Sequence, residues 1–362
     1  MVPRQPGGRC GQGGGAAGTG MMAVQHRGLN LNALQSYLTE SGLPLDGPLQ
    51  AELISGGKSN LTYAVFDNSS RWVLRRPPTS GLTPKAHDVA REYRLTSALQ
   101  GTGVPVARTV ALCEDESVIG ATFTLVEYVN GRVIRTKSEL AELADQDVEN
   151  CTRELVDVLG TLHNVDYQAA GLGSFGRPDG YVARQVQLWA KQWGRVKAND
   201  SADLDRLYAT LADSVPARSE ASIVHGDYRI DNTILAADDV RVEAVVDWEL
   251  SALGDPLTDV ALMCVYRSPV FDLVIGEPAA WTSSRLPSAD DLAQWYTVTS
   301  GRELVNWNFY LALANFKLAV IAEGINYRYR AGATVGEGFD RAGESVPEFI
   351  AAGLRSLRAD TF

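Results

Sequence analysis

Cysteine and histidine are scarce in this chain of 362 residues, which contains four of each. The cysteines are scattered and form no C-x-x-C pair: Cys10, Cys113, Cys151 and Cys264. This spacing argues against a disulfide framework and against a zinc site. We therefore expect reduced, mostly buried thiols and a cytoplasmic protein. The histidines are too few and too spread to form a metal cluster.

Basic residues are also few relative to acidic ones. Lys and Arg number 33 against 44 Asp and Glu, which gives a net charge of −11 and a pI of about 5.0. That balance argues against a nucleic-acid partner and against binding to anionic membranes. Long apolar runs are missing too: the richest candidate, residues 307–321, is interrupted by Lys317. No membrane span is predicted.

The first 28 residues predict a disordered, glycine-rich leader. Glycine occupies eight of the first twenty positions, and no apolar segment follows Arg4 and Arg9 as it would in a secretory signal. Such a segment cannot bury enough apolar surface to become ordered. Met21 and Met22 lie near the end of this segment, and we hypothesise that translation starts at one of them; detection of peptides from residues 1–20 by mass spectrometry would contradict this hypothesis.

Residues 29–130 predict a small lobe made mainly of strands. A first helix can be capped by Asn30 or Asn32 and is stopped by Gly42. The predicted elements are a helix over 31–41, strands over 51–55, 60–65 and 71–78, a helix over 86–100, and a strand pair around 111–113 and 122–129.

The pattern changes after residue 131 to amphipathic helices, so residues 131–362 predict a larger helical lobe. Asp255 is the expected N-cap of one helix, with Pro256 at its first position. The segment 303–330 is apolar nearly all round, which places it at the lobe's centre. The predicted elements are helices over 138–144, 147–165, 180–197, 202–214, 289–299, 303–330 and 340–358, and short strands around 234–235 and 240–246.

Three oxygen-bearing side chains stand out in this second half: Asp227, Asn232 and Asp247. Asn232 follows Asp227 by five residues, and Asp247 ends the apolar run that precedes it. A carboxylate, a carboxamide and a second carboxylate can hold Mg²⁺ on a nucleotide's phosphates while a base orients a hydroxyl. The sequence therefore indicates phosphoryl transfer.

His225-Gly226-Asp227, with Asn232 five residues later, resembles the catalytic loop of protein kinases. Its His-Gly-Asp form is similar to that of the aminoglycoside phosphotransferase family and its choline-kinase relatives. Other blocks agree in order along residues 50–330: Gly56–Asn60, Trp72–Pro78, Glu92–Arg94, Val126–Gly131, Asp247–Glu249 and Gly254–Asp259. The Ser-Asn and Val-Leu-Arg-Arg-Pro-Pro forms are nearest to kinase-like domains fused to, or found beside, acyl-CoA dehydrogenases.

This resemblance implies an α+β, bilobal, protein-kinase-like fold. It has a small, mainly antiparallel β lobe that binds the nucleotide (29–130) and a larger, mainly helical lobe (131–362). The larger lobe would hold the catalytic loop and the acceptor site.

The resemblance also implies roles in the catalytic loop. Asp227 would be the catalytic base, and Asn232 and Asp247 would bind Mg²⁺. His225 would support the loop through a hydrogen bond to backbone near Asp247. The alternatives are a helix cap or salt bridge for Asp227 and a turn residue for Asn232. For Glu249, a contact with the metal or the substrate and a surface salt bridge are equal alternatives.

The implied nucleotide-binding residues are Gly56, Gly57, Ser59, Asn60, Arg75, Glu92, Glu127 and Val129. Arg75 stands where the family usually has Lys, with Glu92 as its partner on the following helix. Arg keeps the charge but differs in reach and geometry. Backbone groups of Glu127 and Val129 would meet the purine edge, although an edge strand would show the same pattern. We interpret Arg76 as an exposed residue at a strand end.

The function that follows is an ATP- and Mg²⁺-dependent phosphotransferase acting on a hydroxyl of a small molecule, with GTP as a possible donor. Arg75 and the Gly turn leave a second hypothesis, a nucleotide-binding pseudokinase that serves as a partner module. A third is aminoglycoside resistance, with an acidic pocket drawn from Glu249, Asp290, Asp291 and Glu303. A hydroxylated acyl thioester agrees at least as well with the branch resembled. The oligomeric state is left open.

Overall fold

The structure, a computed structural model, describes residues 28–55, 60–79, 88–333 and 338–359. The predicted leader, apart from Gly28, lies outside these ranges, and so does the Gly turn at 56–59. The division into lobes at residue 130 stays a prediction.

The small lobe is built on a five-stranded antiparallel sheet with the order β1-β2-β3-β5-β4. Its elements are α1 (Leu31–Glu40), β1 (Gln50–Ser55), β2 (Leu61–Phe66), β3 (Arg71–Arg76), α2 (Val89–Leu99), β4 (Thr109–Cys113) and β5 (Phe123–Glu127). The Asn30 side chain accepts a hydrogen bond from the Ala33 N–H at 3.1 Å, so of the two expected caps Asn30 is the one used. Leu34 and Leu38 of α1 then pack against the sheet in the small-lobe core.

Alternation along β3 decides which way Arg75 and Arg76 face. Trp72, Leu74 and Arg76 are buried on one face of the strand, which places Arg75 on the other. The interpretation of Arg76 as exposed is therefore wrong. Arg76 is 4% exposed and donates to the carbonyls of Ile119 (3.0 Å) and Pro77 (3.1 Å) and to that of Gly28. Its hydrogen bonds hold the start of the lobe to the sheet.

Helix α2 joins the two lobes. Asp88 caps it by accepting the Arg91 N–H at 2.9 Å, and Glu92 lies buried in its first turn. Its apolar residues Leu95 and Leu99 belong to the core of the large lobe, not to that of the small one. The helix also contacts β4 and β5 of the small-lobe sheet, so it packs against both lobes.

The large lobe is mainly helical, with four short strands. Its elements are α3 (Lys137–Leu140), α4 (Asp145–His163), α5 (Tyr181–Val196), α6 (Ala202–Asp213), β6 (Ser222–Val224), β7 (Thr233–Leu235), β8 (Val242–Val245), β9 (Ala252–Gly254), α7 (Leu257–Val265), α8 (Phe271–Ile275), α9 (Ala289–Ser300), α10 (Trp307–Arg330) and α11 (Val346–Ser356). Helix α10 is central as predicted and packs against α5, α6, α7 and α11. It begins at Trp307, four residues later than expected, because Asn306 adopts a left-handed backbone (φ 57°).

Helix α7 also begins later than the sequence indicated. It starts at Leu257, so Pro256 occupies the position before the first turn, where Asp255 was expected. The Asp255 carboxylate still accepts the Leu257 N–H at 3.0 Å. The capping hydrogen bond is kept, and the cap residue is shifted by one.

Two antiparallel strand pairs, β6 with β9 and β7 with β8, carry the segments of catalytic interest. Cys113, Cys151 and Cys264 are buried free thiols, as expected. Within the described ranges, no helix is long and apolar enough to cross a membrane.

Candidate active site

The loop between β6 and β7 is held by a buried carboxylate from α7. Asp259, which is 1% exposed, accepts the backbone N–H groups of His225 at 2.6 Å and Gly226 at 2.8 Å. The His163 ring nitrogen Nε2 lies 3.3 Å from the same carboxylate. Burial opposes the charge of Asp259, but the hydrogen bonds from His163 and the backbone keep its pKa below the usual range. The loop backbone is thereby fixed before any ligand binds.

Gly226 and His225 have distinct structural roles in this loop. Gly226 has φ 86°, and a Cβ there would lie 2.6 Å from the Leu250 carbonyl oxygen, so only glycine fits. His225 Nε2 lies 2.9 Å from the Val246 carbonyl oxygen, next to Asp247. The supporting hydrogen bond expected of His225 is confirmed, and it ties the loop to the end of β8.

Asp227 lies at the centre of a set of hydrogen bonds and one ion pair. Its Oδ2 is 3.1 Å from Asn232 Nδ2 and 3.3 Å from Arg229 Nη2, and its Oδ1 accepts the Tyr266 hydroxyl. Burial raises the pKa of Asp227, but Arg229, Tyr266 and Lys317 together lower it by more. The pKa of Asp227 therefore lies below its usual range. The carboxylate is therefore ionised at neutral pH, and 21% of the side chain remains exposed. It can accept a proton from a neighbouring hydroxyl.

Asn232 and Asp247 come from adjoining segments, and both carry oxygens of the type that Mg²⁺ binds, although their roles as metal ligands stay predictions. The Val246 N–H donates to the Asn232 carbonyl at 2.9 Å, which brings Asp247 next to Asn232. Asn232 Nδ2 faces Asp227, so its Oδ1 is the atom left for a cation. Asp247 has a left-handed backbone (φ 65°), and its side chain is 42% exposed. Mg²⁺ typically takes one or two such oxygens and completes its shell with phosphate and water.

Arg75 joins the small lobe to this site. Its Nη1 lies 2.9 Å from Glu92 Oε2, and its Nη2 lies 3.7 Å from Asp247 Oδ1. Asn60, which is 2% exposed, donates to Glu92 Oε1 at 3.2 Å. The expected Arg75–Glu92 pair thus forms, and Asn60 orients its acidic member. The cofactor roles of these three residues stay predictions.

Glu92 gives the stability of the protein a specific pH dependence. Burial raises its pKa to about 7 despite the opposing Arg75, with Asp247 and Glu249 adding to the rise. Between its ordinary value of 4.5 and 7, the folded protein holds a proton that the unfolded chain has lost. Stability therefore falls as pH rises through that window, by on the order of 1–3 kcal/mol. We expect Glu92→Gln, which stays neutral, to remove this fall.

The measurement is the midpoint of urea unfolding of both proteins between pH 5 and pH 8. The difference in midpoint, variant minus wild type, should grow with pH. Glu114→Gln is the matched control, because Glu114 forms an exposed pair with Arg94. A difference that stays constant across this pH range would contradict the prediction.

The end of β5 is where the purine was expected. The Glu127 N–H donates to the Arg108 carbonyl at 2.8 Å, and the Tyr128 N–H donates to that of Arg71 at 3.1 Å. The strand is thus paired on both sides up to Tyr128 and leaves the sheet at Val129. The adenine-contacting roles of the Glu127 carbonyl and the Val129 N–H stay predictions, as do those of Gly56, Gly57 and Ser59, which lie outside the described residues.

Glu249 lies two residues beyond Asp247 and faces the same region. One of its carboxylate oxygens, Oε2, is buried without a hydrogen-bond partner among the described residues. Burial and the nearby Asp247 raise its pKa. No ion pair to Glu249 occurs within the described ranges, so the salt-bridge alternative finds no support there. A buried oxygen without a partner is suited to a ligand or cation.

Three side chains near Asp227 were not identified from the sequence: Arg229, Tyr266 and Lys317. Lys317 of α10 donates to the Gly226 carbonyl at 2.7 Å and lies 5.5 Å from the Trp189 ring centroid. In the sequence it was only an interruption of an apolar run. Its position within a central helix was the available signal, since a lysine there needs a buried partner.

The acidic residues considered for an aminoglycoside pocket do not gather at Asp227. Asp291 completes a capping box with Ser288 at the start of α9. Glu303 lines a separate cavity of about 720 Å³ with Arg302 and Tyr310. Of the four, Glu249 alone lies near the catalytic loop among the described residues.

Comparison with known proteins identifies related sequences. Acyl-CoA dehydrogenase family member 10 of Mus musculus is 36% identical over 306 residues, covering 83% of this chain and 28% of that protein. Acyl-CoA dehydrogenase family member 11 of Homo sapiens is 34% identical over 316 residues, covering 85% of this chain and 40% of that protein. The chain thus spans less than half the length of these relatives.

Solved structures share the fold. A Ralstonia eutropha protein, provisionally designated an aminoglycoside phosphotransferase, is 33% identical with a TM-score of 0.79, and the match covers 92% of this chain and 99% of that one. At the level of fold alone, the chain resembles APH(2″)-IIIa in complex with GDP and kanamycin (18% identity, TM-score 0.59, 91% and 99% covered). It likewise resembles, in fold alone, APH(4)-Ia in complex with AMP-PNP and hygromycin B (16% identity, TM-score 0.59, 91% of this chain and 99% of that one covered).

The expected kinase-like fold and the resemblance to aminoglycoside phosphotransferases are both confirmed, and the family supports small-molecule kinase activity. Residues 50–291 match the sequence profile described as the phosphotransferase enzyme family, and this chain is a member of that family.

Proposed function

We propose that this chain transfers the γ-phosphoryl group of Mg-ATP to a hydroxyl of a small molecule, with Asp227 as catalytic base. The observation that carries the proposal is the position of Asp227. It is ionised, partly exposed, and within 3.1 Å of Asn232, which lies beside Asp247. This arrangement supports the proposal of a base for the hydroxyl next to two oxygen ligands for Mg²⁺, as phosphoryl transfer needs.

In this proposal the chain mainly positions its reactants and neutralises charge. Asn232 and Asp247 would hold Mg²⁺, which when bound neutralises charge on the phosphates. Asp227 accepts the hydrogen bond of the acceptor hydroxyl, orients its oxygen towards the γ-phosphorus, and takes the proton as the new bond forms. The bond from the γ-phosphorus to the bridging oxygen breaks, and the nucleoside diphosphate leaves.

The donor site is proposed to lie under the small-lobe sheet. Arg75, held by Glu92, supplies a guanidinium to the phosphates, and Arg can bind phosphate in a bidentate manner. Gly56, Gly57 and Ser59 would cover the phosphates from above. ATP is the proposed donor, with GTP as the alternative, since same-fold neighbours are seen with either an adenine nucleotide analogue or GDP.

The two alternative functions have less support. A pseudokinase has no need of an ionised Asp227 hydrogen-bonded to Asn232 and Tyr266 and paired with Arg229, nor of the two oxygen-bearing side chains of Asn232 and Asp247. An aminoglycoside acceptor, which is polycationic, would need gathered carboxylates, whereas Lys317 and Arg229 place positive charge beside Asp227.

The proposal is tested by measuring nucleoside diphosphate release from ATP and from GTP, with and without Mg²⁺, over a panel of hydroxylated small molecules. We expect turnover that requires both Mg²⁺ and one class of acceptor. ³¹P NMR of the product should show a phosphate monoester. Tight binding of Mg-nucleotide with no turnover over the whole panel would favour the pseudokinase instead.

A further inference from the structure

Tyr266 lies immediately after α7 and faces the catalytic loop. Its hydroxyl donates to Asp227 Oδ1. The side chain is 3% exposed, and its ring packs on Phe271 with centroids 4.5 Å apart. The Arg229 guanidinium lies 5.4 Å from the Tyr266 ring centroid. Tyr266 is thus a firmly packed residue whose polar end meets the proposed catalytic base.

The contacts to Asp227 leave little choice about where an acceptor can bind. A carboxylate has about four acceptor positions on its two oxygens. Asn232 donates to Oδ2 at 3.1 Å, the Arg229 guanidinium forms an ion pair with Oδ2 at 3.3 Å, and Tyr266 donates to Oδ1. Because Asn232 and Arg229 both crowd Oδ2, the position left for an acceptor is the second one on Oδ1, beside the Tyr266 hydroxyl.

The spacing along α7 accounts for this contact. Tyr266 follows Asp259 by seven residues, about two helical turns, so both side chains lie on one face of the helix. Asp259 holds the backbone N–H groups of His225 and Gly226. One helix face therefore holds the backbone of the loop at one point and the side chain of Asp227 at another.

We infer that Tyr266 is a positioning residue that holds Asp227 with Oδ1 directed at the acceptor hydroxyl. The inference rests on the proposed function, because it takes Asp227 as the catalytic base that meets an acceptor hydroxyl. The contact with Asp227 and its effect on that side chain are properties of the protein without substrate. Without Tyr266, the carboxylate is anchored at Oδ2 alone and can rotate about its last bond.

The first test is the Tyr266→Phe variant, which keeps the packed ring and removes the hydroxyl. We expect kcat to fall about 10- to 100-fold, as for the loss of one hydrogen bond to a charged group. The KM values for nucleotide and acceptor should change by less than about 3-fold, because binding contacts are retained. In an Asp227→Asn background, the same substitution should have little further effect, because residues that act as a unit are not additive.

Tyr310→Phe is the matched control. Tyr310 is 2% exposed and donates to the buried Asp255 carboxylate at 2.8 Å, so the variant also removes a phenol from a carboxylate. Asp255 makes no contact with Asp227 among the described residues. We expect a loss of stability similar to that of Tyr266→Phe, with kcat within about 3-fold of wild type.

An acceptor-free measurement separates this inference from the proposed function. A buried hydroxyl bonded to a carboxylate should give a low-field proton NMR signal. The signal should be absent in Tyr266→Phe, shifted or absent in Asp227→Asn, and present in Tyr310→Phe. If wild type transfers phosphate to no acceptor while this pattern holds, the proposed function fails and the contact stands. Unchanged kcat in Tyr266→Phe, or independent additive effects with Asp227→Asn, would overturn the inference.

Discussion

Replacing Asp227 with Asn is expected to lower kcat by about 10²- to 10⁴-fold, the range for loss of a general base. The amide keeps the size of the carboxylate but cannot take the acceptor's proton. It also presents Nδ2 to a neighbour, and Oδ2 faces the Asn232 amide, which donates to it, and the positively charged Arg229. Affinity for Mg-AMP-PNP, measured by calorimetry, should change little, because Asn232 and Asp247 remain.

Asp231→Asn is the comparison for this prediction. Asp231 lies in the same loop and pairs with Arg229, 3.2 Å from Nε. The Asp231→Asn substitution removes one negative charge near Arg229 but leaves the proposed base unchanged. We therefore expect kcat to fall by less than about 10-fold. If both variants lost activity equally, local charge and not base catalysis would explain the result.

Replacing Asp259 with Asn is expected to cost about 3–5 kcal/mol of stability, the range for breaking a buried charged network. Both oxygens of Asp259 accept backbone N–H groups, from His225 and from Gly226. An amide offers one oxygen, so its NH₂ must face a group that can only donate. Activity should fall as well, because these two N–H groups fix the loop that carries Asp227. Urea unfolding and initial rates measure the two effects.

Asp255→Asn provides the contrast, since Asp255 is also buried. One of its partners is the Leu257 N–H and the other is the Tyr310 hydroxyl, which can accept as well as donate. An amide can therefore satisfy both partners, and we expect a smaller cost, about 1 kcal/mol. An equal loss at the two positions would mean that burial alone, and not the type of partner, determines the cost.

The sequence was most informative where chemistry depends on local spacing. Asp227 and Asn232 are five residues apart, and a short 3-10 turn over Ile230–Asn232 brings the Asn232 amide back to Asp227. Asp247 was recognisable because an apolar strand ends just before it. These residues are brought together by short segments of chain whose conformation the local residues largely decide.

Residues that meet through tertiary packing were predicted less well. Arg76 was interpreted as exposed because a charged residue at a strand end usually is, but it donates to the neighbouring Pro77 carbonyl and to two carbonyls from other segments, those of Gly28 and Ile119. Tyr266 and Lys317 meet the catalytic loop from α7 and α10, at sequence separations of 39 and 91 residues. Helical periodicity indicated which faces were buried, but not which loop each face would contact.

The packing of α2 has a consequence for how the two lobes can move. Leu95 and Leu99 anchor the helix in the large-lobe core, and Arg91 stacks on Phe175, 3.7 Å from its ring centroid. Glu92 of the same helix forms an ion pair with Arg75 of β3 in the small-lobe sheet. Because α2 also contacts β4 and β5, tilting of the sheet away from the large lobe must either pull Leu95 and Leu99 from the large-lobe core or stretch the Arg75–Glu92 pair. Movement between the lobes is therefore coupled to the position of Arg75, the residue proposed to bind the phosphates.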